Sequence, residues 1–391
     1  VREYFVWLLV LQTAVMGVFT ALDFLLFFLM WELELVPMFF LISTWGSGRK
    51  EYSAMKFLIF TFLGSAFMLV GILTLFFSTG TFDMTQLPAE IAGGRLLLPA
   101  GLVFALLFVA FAVKLPVWPL HTWLPDAHTD APTAASVMLA GVLLKMGGYG
   151  LLRINVGMFP SQTDRFAWAL VVLGVVSVLY GAVVTMRQTD LKRLIAYSSI
   201  SHMGLVLVGI GSVGISQGTL SVTGLNGAAM QLFTHGTVTG LLFLAVGLVY
   251  EKTGTRYIPD LGGLAGRMPV VAVAMLIAGL ASLGLPGLSG FVSELLVFLG
   301  AFQAYAWPTV LAVLGIILAA GYILWMMERT FFGLRRERFD DLTDASLVEA
   351  APLALMVVTI IGLGIWPSLL TDVLESGLNP MVDVLNGVIN P

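Results

Sequence analysis

The sequence predicts an all-α polytopic membrane protein, and three observations lead to that prediction. Hydrophobic residues make up 59% of the 391 positions and charged residues only 11%, whereas soluble domains carry roughly 25% charged residues. Apolar windows of about twenty residues, the length that crosses a hydrocarbon core of about 30 Å, recur along the chain. The segments between these windows are mostly short. We therefore expect about eleven transmembrane helices and no separate soluble domain.

The predicted spans follow one another along almost the whole chain and occupy residues 4–22, 24–45, 54–77, 97–124, 133–152, 166–186, 194–213, 227–250, 269–302, 308–327 and 350–371. The fourth span is broken by Pro116 and Pro119, and the ninth is broken by the sequence SLGLPGLSG from Ser282 to Gly290. Proline and glycine interruptions at matching places in two halves are typical of inverted-repeat transporters. Because the breaks lie five spans apart, the second half is expected to be upside down relative to the first.

This pattern predicts four units along the chain. A first five-helix repeat is expected over residues 1–153, broken near 114–119, and a second over 154–327, broken near 284–290. Residues 328–349 are predicted to form a charged cytoplasmic connector, and 350–391 a C-terminal transmembrane helix and tail. Val1 leads almost directly into an apolar span, without the basic head and cleavage site of a signal peptide. We therefore expect the sequence to lack its natural N-terminus.

The distribution of positive charge predicts the orientation. When the spans are threaded alternately through the membrane, fourteen lysines and arginines fall on one side, and only Arg95, Arg153 and Arg165 fall on the other. Positively charged loops stay in the cytoplasm, so the N-terminus is predicted to face the cytoplasm and the C-terminus the outside. The cluster from Arg335 to Arg338 is interpreted as a cytoplasmic anchor rather than a nucleic-acid site.

Five ionisable residues are placed well inside predicted spans: Glu32, Glu34, Lys114, Lys145 and Glu294. A charge at that depth costs at least a few kcal/mol, and such residues mark ion pathways. Lys114 and Glu294 each lie beside a broken helix, where irregular backbone is tolerated only against a cavity or packed protein. The sequence therefore predicts an ion path along the two breaks.

The histidines extend this set, because an imidazole with an ordinary pKa near 6.5 exchanges protons around neutrality. His121, His202 and His235 are candidate proton carriers, whereas His128 is assigned to a polar turn near the cytoplasmic face. Individually, a buried histidine is more often just a hydrogen-bonded core residue. Because the buried lysines and glutamates are predicted in the same part of the protein, they favour a role in proton transfer for His121, His202 and His235.

We predict that Glu32 switches the charge of Lys114 and that Lys145 links this pair, through His202 or His235, to the Glu294 carboxyl. Each assignment has a structural alternative. Glu32 and Lys114 can form a purely structural ion pair, and Lys145 can extend its ammonium to the membrane surface. Glu34 follows Glu32 by two residues and is placed on a different helix face, as a supporting or interface group.

Five stretches carry a resemblance to a known family. They are WELELVP (Trp31 to Pro37), KLPVWPLHTWLPDAHTDAPTAASVMLAGVLLK (Lys114 to Lys145), LIAYSSISHMG (Leu194 to Gly204), THG (Thr234 to Gly236) and LPGLSGFVSE (Leu285 to Glu294). Together they resemble the antiporter-like subunits of proton-pumping NADH:quinone oxidoreductase (respiratory complex I), of the type called subunit M or chain 4. The matching subunit of cyanobacterial and chloroplast complexes, which take electrons from ferredoxin, is also similar.

The resemblance implies two inverted five-helix repeats preceded by three further helices. It assigns the essential glutamate to Glu32, the broken-helix lysine to Lys114, the connecting lysine to Lys145, the central histidines to His202 and His235, and the terminal acid to Glu294. A glutamate at that last position is implied to distinguish subunit M from the similar subunits L and N and from the related subunit of sodium/proton antiporters, which carry lysine there.

The protein has no cysteine, which excludes disulfides, thiolate zinc sites and cysteine-ligated iron–sulfur clusters. We expect no cofactor on this polypeptide, and the resemblance implies NADH, FMN, iron–sulfur clusters and quinone on partner subunits. It also implies the antiporter-like subunits L and N and small membrane subunits as partners. No nucleic acid is expected.

The leading hypothesis is a proton-translocating subunit driven by redox chemistry on other subunits, in a bacterial plasma membrane or, for a cyanobacterial source, a thylakoid membrane. The alternative is a subunit of a multi-subunit sodium/proton antiporter. A third hypothesis is a membrane scaffold. The five buried ionisable groups argue against it, because they are energetically costly and would have no function in a scaffold.

Overall fold

The computed structural model describes residues 1–94, 96–214 and 222–389, with side chains described as far as residue 385. Within these ranges the protein is helical and forms no strand. The predicted position of Arg95 on the less basic side lies outside the described residues. Residues 215–221, also outside them, fall between two predicted spans.

The described residues of the first half, 1–94 and 96–156, contain nine α-helices: α1 (Arg2–Thr20), α2 (Phe24–Leu33), α3 (Leu35–Trp45), α4 (Lys50–Thr79), α5 (Leu87–Gly93), α6 (Ala100–Lys114), α7 (Trp123–Asp130), α8 (Thr133–Met138) and α9 (Leu144–Gly150). Two π-helical turns, Leu139–Leu143 and Leu151–Val156, join α8 and α9 into one span from 133 to 156. Turns of this kind often lie at functional sites.

The second half contains α10 (Pro160–Thr185), α11 (Leu191–Gly211), α12 (Val222–Thr253), α13 (Pro269–Ser282), α14 (Ser289–Ala304), α15 (Ala306–Met327), α16 (Leu347–Ile365) and α17 (Ser368–Ile389). A π-helical turn, Glu328–Phe332, extends α15. The helical path is interrupted between α6 and α7 and again between α13 and α14.

The predicted fold class is confirmed. Nine helical segments of the described residues are long and apolar enough to cross a membrane, by length and composition. Three shorter apolar helices, α6, α13 and α14, belong to the two broken spans, so that helix occupies each of the predicted windows. The tail after the last window was not predicted to be regular. It forms α17, whose Leu378, Val382 and Leu385 are buried against the bundle at the spacing of one helix face.

Loop contacts divide the helix ends between two faces. The backbone N–H of Ser47 donates to the Asp130 carbonyl at 2.7 Å, and Asp190 pairs with Tyr257. These loops lie on the face that holds most of the lysines and arginines, which we call the basic face. On the opposite face Asp23 pairs with Asp83. The assignment of the basic face to the cytoplasm remains a prediction.

The charged connector folds back onto the basic face. Arg336 donates to the carbonyl of Pro259 at 2.9 Å. Nε of Arg335 donates to Asp340 at 2.7 Å, and this hydrogen bond holds the pKa of the Asp340 carboxyl below its usual range. The connector is therefore attached to the loop between α12 and α13.

Candidate functional site

Lys114 ends α6, at the first break, and is buried with 1% exposure. Its ammonium forms an ion pair with the carboxylate of Glu34, which is fully buried. Nζ also lies 5.5 Å from the ring centre of Trp31 and 5.4 Å from that of Phe57. Aromatic faces at these distances attract a desolvated cation.

The carboxylate in direct contact with Lys114 is therefore that of Glu34, whereas the sequence led us to expect Glu32 in that place. The expectation assumed an unbroken helix, in which residues two apart lie on different faces. The helix is interrupted at Glu34, between α2 and α3. Pro37 lacks the N–H that would bond the Leu33 carbonyl, so one bond of the ladder is missing there. The ladder resumes with Met38, whose N–H donates to the Glu34 carbonyl at 3.3 Å. A proline three residues after a glutamate was the available sequence signal.

Glu32 is half-buried and lies beside the Ser65 hydroxyl of α4, close enough to Lys114 to interact with its charge. One of its carboxylate oxygens, Oε1, is buried without a hydrogen-bond partner among the described residues. Lys114 therefore has one bound carboxylate and a second, less constrained carboxylate nearby.

Lys145 lies in α9, between the two π-helical turns, and only 6% of it is exposed. Its ammonium does not reach a membrane surface. Nζ lies 2.8 Å from Nδ1 of His235 on α12 and also donates to the Ala140 carbonyl. The close approach of the two helices requires small residues, since a Cβ added to Gly236 would lie 2.7 Å from the Gly141 carbonyl oxygen.

His202 and Glu294 continue the row toward the second break. The rings of His235 and His202 are 5.7 Å apart between centroids. Nδ1 of His202 lies 3.2 Å from Oε1 of Glu294, and Nε2 lies 3.1 Å from the Ser282 hydroxyl. Ser282 is the last residue of α13 and lies at the second break. The break therefore provides the hydroxyl that orients the ring of His202.

Glu294 is buried with 3% exposure and sits in α14 behind the turn of the second break. Its Oε2 has no hydrogen-bond partner in the described part of the protein. Gly284 faces this oxygen with φ +75, and a Cβ there would lie 2.7 Å from it. A positive φ favours glycine, so the same residue permits the turn and leaves space for the carboxylate.

A small cavity of about 10 Å³ lies among these groups, lined by His202, Gln231, Thr234, His235, Ser282 and Glu294 with apolar neighbours. This volume is close to what a single water requires, and the lining offers several polar partners. The hydroxyl of Ser293 donates to Gln231 Oε1 at 2.5 Å and is 2.9 Å from Thr234 Oγ1. A water here would link the two histidines and Glu294.

The helix segments that carry Lys114 and Lys145 pack closely against each other. A Cβ added to Gly147 would lie 2.7 Å from the Phe111 carbonyl oxygen and 2.6 Å from the Leu115 nitrogen. The segment carrying Lys145 therefore packs on the end of α6. No hydrogen bond between the two lysines occurs among the residues described, so transfer between them requires water.

His121 lies apart from this row. It is buried against Tyr180, with ring centroids 4.9 Å apart, and Lys56 is the charge that acts on it. The structure therefore does not bring His121 together with Lys145 or His235. The role of His121 in proton transfer stays a prediction.

Together, the fold and these contacts define a helical membrane protein that holds a row of ionisable groups across its interior. The chain belongs to the NADH:quinone oxidoreductase/Mrp antiporter transmembrane family, whose sequence profile matches residues 21–319. This match confirms the resemblance noted from the motifs.

Individual relatives agree with the family. The chain is 43% identical to NADH-quinone oxidoreductase subunit M of Rhodobacter capsulatus, over 98% of this chain and 75% of the relative. It is 42% identical to F(420)H(2) dehydrogenase subunit M of Methanosarcina mazei, over 99% of this chain and 78% of the relative. It is 46% identical to an NAD(P)H-quinone oxidoreductase chain 4 of Synechococcus, over 95% of this chain and 71% of the relative.

Solved structures show the same fold. A subunit of respiratory complex I from Thermus thermophilus superposes with a TM-score of 0.89 at 32% identity, covering 99% of this chain and 80% of that one. A subunit of the Mrp complex from Dietzia superposes with a TM-score of 0.84 at 23% identity, covering 98% and 78%. The second likeness, at that identity, concerns the fold alone.

Proposed function

We propose that this protein is a proton-translocating membrane subunit of a redox-driven quinone oxidoreductase that takes electrons from NADH or ferredoxin. The observation that carries the proposal is the row of buried groups from Lys145 through His235 and His202 to Glu294. Nζ of Lys145 lies 2.8 Å from Nδ1 of His235, and Nδ1 of His202 lies 3.2 Å from Oε1 of Glu294. At these distances a proton can pass along a hydrogen bond. Ionisable groups this deep in a membrane protein are energetically costly, and they mark ion or proton pathways.

In the proposed path, the Lys145 ammonium donates its proton to Nδ1 of His235. The ring then releases a proton from Nε2, which is buried and free of any hydrogen-bond partner among the described residues. A water in the small cavity carries that proton to His202, which passes one from Nδ1 to the Glu294 carboxylate. An imidazole that accepts at one nitrogen and donates at the other suits this relay.

The Lys114 cluster acts as the switch in this proposal. While Glu34 and Glu32 both face Lys114, the ammonium is held protonated, because nearby carboxylates favour the charged amine. Withdrawal of one carboxylate weakens that hold, and the proton moves through water toward Lys145. Glu32 is proposed as the group that moves, because it is half-buried and less constrained than Glu34.

The electron-transfer chemistry is proposed to lie on partner subunits, which hold NADH, FMN, iron–sulfur clusters and quinone. The proposed partners are the antiporter-like subunits L and N and small membrane subunits. The large apolar side chains exposed along α1 to α4, such as Leu9, Leu29 and Phe62, fit contact with lipid or with other helices. The proposed membrane is a bacterial plasma membrane, or a thylakoid membrane, with the basic face in the cytoplasm.

The second candidate is a subunit of a sodium/proton antiporter, because the matching family includes Mrp antiporters. Two observations favour the redox-driven pump. Identity is 43% to an NADH-quinone oxidoreductase subunit but 23% to the Mrp subunit. The terminal group is Glu294, where the family resemblance implies lysine in the antiporter.

The test is to purify the intact assembly, identify its subunits and reconstitute it in sealed vesicles. Proton translocation should follow quinone reduction without sodium, and Lys145→Met should remove the contribution of this subunit while the assembly still forms. Tyr149→Phe, one helical turn further along the same span, is the matched control and should translocate normally. Sodium-dependent proton exchange without electron transfer would contradict the proposal and support the antiporter.

A further inference from the structure

A polar pocket of about 360 Å³ opens on the basic face, at the end of α15. One wall is the loop that follows α12 and contains Pro259, and the other is the segment from Glu328 to Arg336 that follows α15. Arg329 and Arg336 are the cationic residues of this pocket, and Glu328 is the one acidic residue among the described residues that line it. None of these three belongs to the row that ends at Glu294, so the proposed proton path does not explain the pocket.

Close packing between the two walls fixes the shape of the pocket. Phe331, within the segment after α15, is buried in the core. Gly263 of the opposite loop has φ +62, and a Cβ there would lie 2.7 Å from Cα of Arg335. An N–H of Arg336 donates to the Pro259 carbonyl at 2.9 Å. The walls are therefore held together by the protein's own contacts.

The two arginines keep N–H donors free for a ligand. Among the residues that the structure describes, no carboxylate lies within ion-pair distance of Arg329 or Arg336. The nearby Asp340 carboxylate is bound to Arg335 instead, at 2.7 Å. The guanidinium carbon of Arg329 lies 4.4 Å from the ring centre of Trp325, and this contact holds the cation beside the ring. A planar guanidinium offers paired N–H groups that match the oxygens of a phosphate.

An apolar stripe on α15 leads to this pocket. Leu314, Ile317 and Leu324 are exposed, and their spacing places them on one face of the helix. Gly321 lies on the same face, and a Cβ there would meet nothing within 4 Å. Glu328, four residues after Leu324, continues the face into the pocket. From Leu314 to Glu328 the helix rises by roughly 21 Å, which is enough to cross one leaflet of the hydrocarbon core, about 15 Å.

We propose that this pocket and stripe bind a membrane phospholipid. The phosphate accepts hydrogen bonds from Arg329 and Arg336, and a hydroxyl or ammonium group of the headgroup donates to the Glu328 carboxylate. One acyl chain lies along α15 over Gly321. Basic pockets at the ends of transmembrane helices bind phospholipid headgroups in this way. Leu334, which lines the pocket and is 90% exposed, provides a further apolar contact between the two arginines.

Two other ligands fit part of this surface. Inorganic phosphate matches the arginines, and so does an acidic segment of a neighbouring subunit. Neither of them requires an exposed apolar stripe that ends at the pocket. The combination of a basic pocket with a stripe as long as one leaflet therefore favours the phospholipid.

The experiment uses the intact assembly in vesicles of phosphatidylcholine that contain a small fraction of phosphatidylglycerol with a photoactivatable group in one acyl chain. After illumination, the labelled peptides are identified by mass spectrometry. The α15 peptide around Gly321 should be labelled, and inorganic phosphate in the buffer should not reduce the labelling. The same probe with a choline headgroup should label this peptide several-fold less, because choline offers no N–H or O–H to Glu328.

The pocket variants are compared at equal amounts of assembled subunit. Arg329→Gln and Arg336→Gln should each lower the labelling by phosphatidylglycerol roughly fivefold, the factor expected for one arginine beside anionic lipid. Arg329→Lys keeps the charge and should give an intermediate value. Arg49→Gln is the matched control, because Arg49 is exposed on the basic face and lies 5.0 Å from the ring centre of Tyr52, outside the pocket. It should be labelled as in the wild type.

A second pair of variants tests the stripe. Gly321→Phe fills the space where the acyl chain is placed, so the labelling of the α15 peptide should fall. Gly362→Phe, on α16, is its control, because a Cβ there also meets nothing within 4 Å. It should leave the labelling of α15 unchanged.

Equal labelling by the two headgroups, with no effect of Arg329→Gln or Arg336→Gln, would overturn the site and indicate ordinary contact with the bilayer. Loss of the labelling in inorganic phosphate would assign the pocket to the free ion. An unlabelled α15 in the wild-type assembly would mean that another subunit covers this face, and it would overturn the site as well. Because the measurement is lipid labelling rather than translocation, its outcome does not depend on the proposed function.

Discussion

Replacing Glu34 with glutamine tests whether the ion pair at the first break is structural, regulatory or both. The change removes the carboxylate that contacts Lys114 and leaves an ammonium with 1% exposure inside the bundle. Breaking a buried pair from one side costs about 3–5 kcal/mol. The Trp31 and Phe57 rings retain their contact with the cation and offset part of this, about 0.5–2 kcal/mol. We expect a net loss of about 3 kcal/mol.

The assay is heat inactivation of the solubilised assembly, with the amount of intact subunit followed at increasing temperature. Glu34→Gln should lower the midpoint by a few °C, given the size of the protein. Glu32→Gln should change the midpoint little, because Oε1 of Glu32 has no hydrogen-bond partner to lose among the described residues. It should nevertheless remove most of the proton translocation through this subunit. Heat inactivation would then identify the structural glutamate, Glu34, and the translocation assay would identify the switching glutamate, Glu32.

A double variant provides the control. Removing both partners with apolar groups, Glu34→Leu with Lys114→Met, should recover most of the lost stability, because an apolar pair of similar volume is often as stable as a buried ion pair. The difference from additivity measures their coupling. Equal destabilisation by Glu32→Gln and Glu34→Gln, or a double variant as unstable as the sum of the singles, would refute the assignment of the pair to Glu34.

Two further predictions concern the second break and the orientation. Gly284→Ala adds a Cβ that would lie 2.7 Å from the terminal carboxylate oxygen, so it should reduce translocation strongly. Gly287→Ala imposes a similar cost at φ +90 but meets nothing within 4 Å, so it should reduce translocation much less; equal effects would mean that backbone strain alone is responsible. A cysteine introduced at Ser47 should react only with a reagent on the cytoplasmic side, and one at Thr81 only with a reagent outside. Reversed labelling would overturn the assigned orientation.

The fold was largely predictable from the sequence because the requirements of a membrane are simple. Each span needs about twenty apolar residues, and prolines and glycines mark the breaks. The helix α17 was missed because it lies outside the apolar windows. The spacing of Leu378, Val382 and Leu385 indicates an amphipathic helix, but it does not indicate a membrane span.

The site was only partly predictable. Lys145 and His235 were recognised as ionisable groups in spans, but their 2.8 Å contact depends on which faces of two distant helices meet. Glu34 was placed on a different helix face from Glu32, as a supporting group, and its direct ion pair with Lys114 was not predicted. His128 was assigned to a polar turn, and its burial depends on Phe243, more than a hundred residues away. Such long-range packing leaves little trace in a single sequence.

The most direct test of the proton path is at Glu294, where the row of contacts ends. The measurement is the number of protons translocated per electron by Glu294→Ala in vesicles containing the intact assembly, at several pH values. The path predicts that transfer through this subunit is lost, while Glu294→Lys retains part of it with a shifted pH dependence, because lysine becomes charged on receiving a proton whereas glutamate becomes neutral. Normal translocation by Glu294→Ala at every pH would show that protons leave elsewhere and contradict the path.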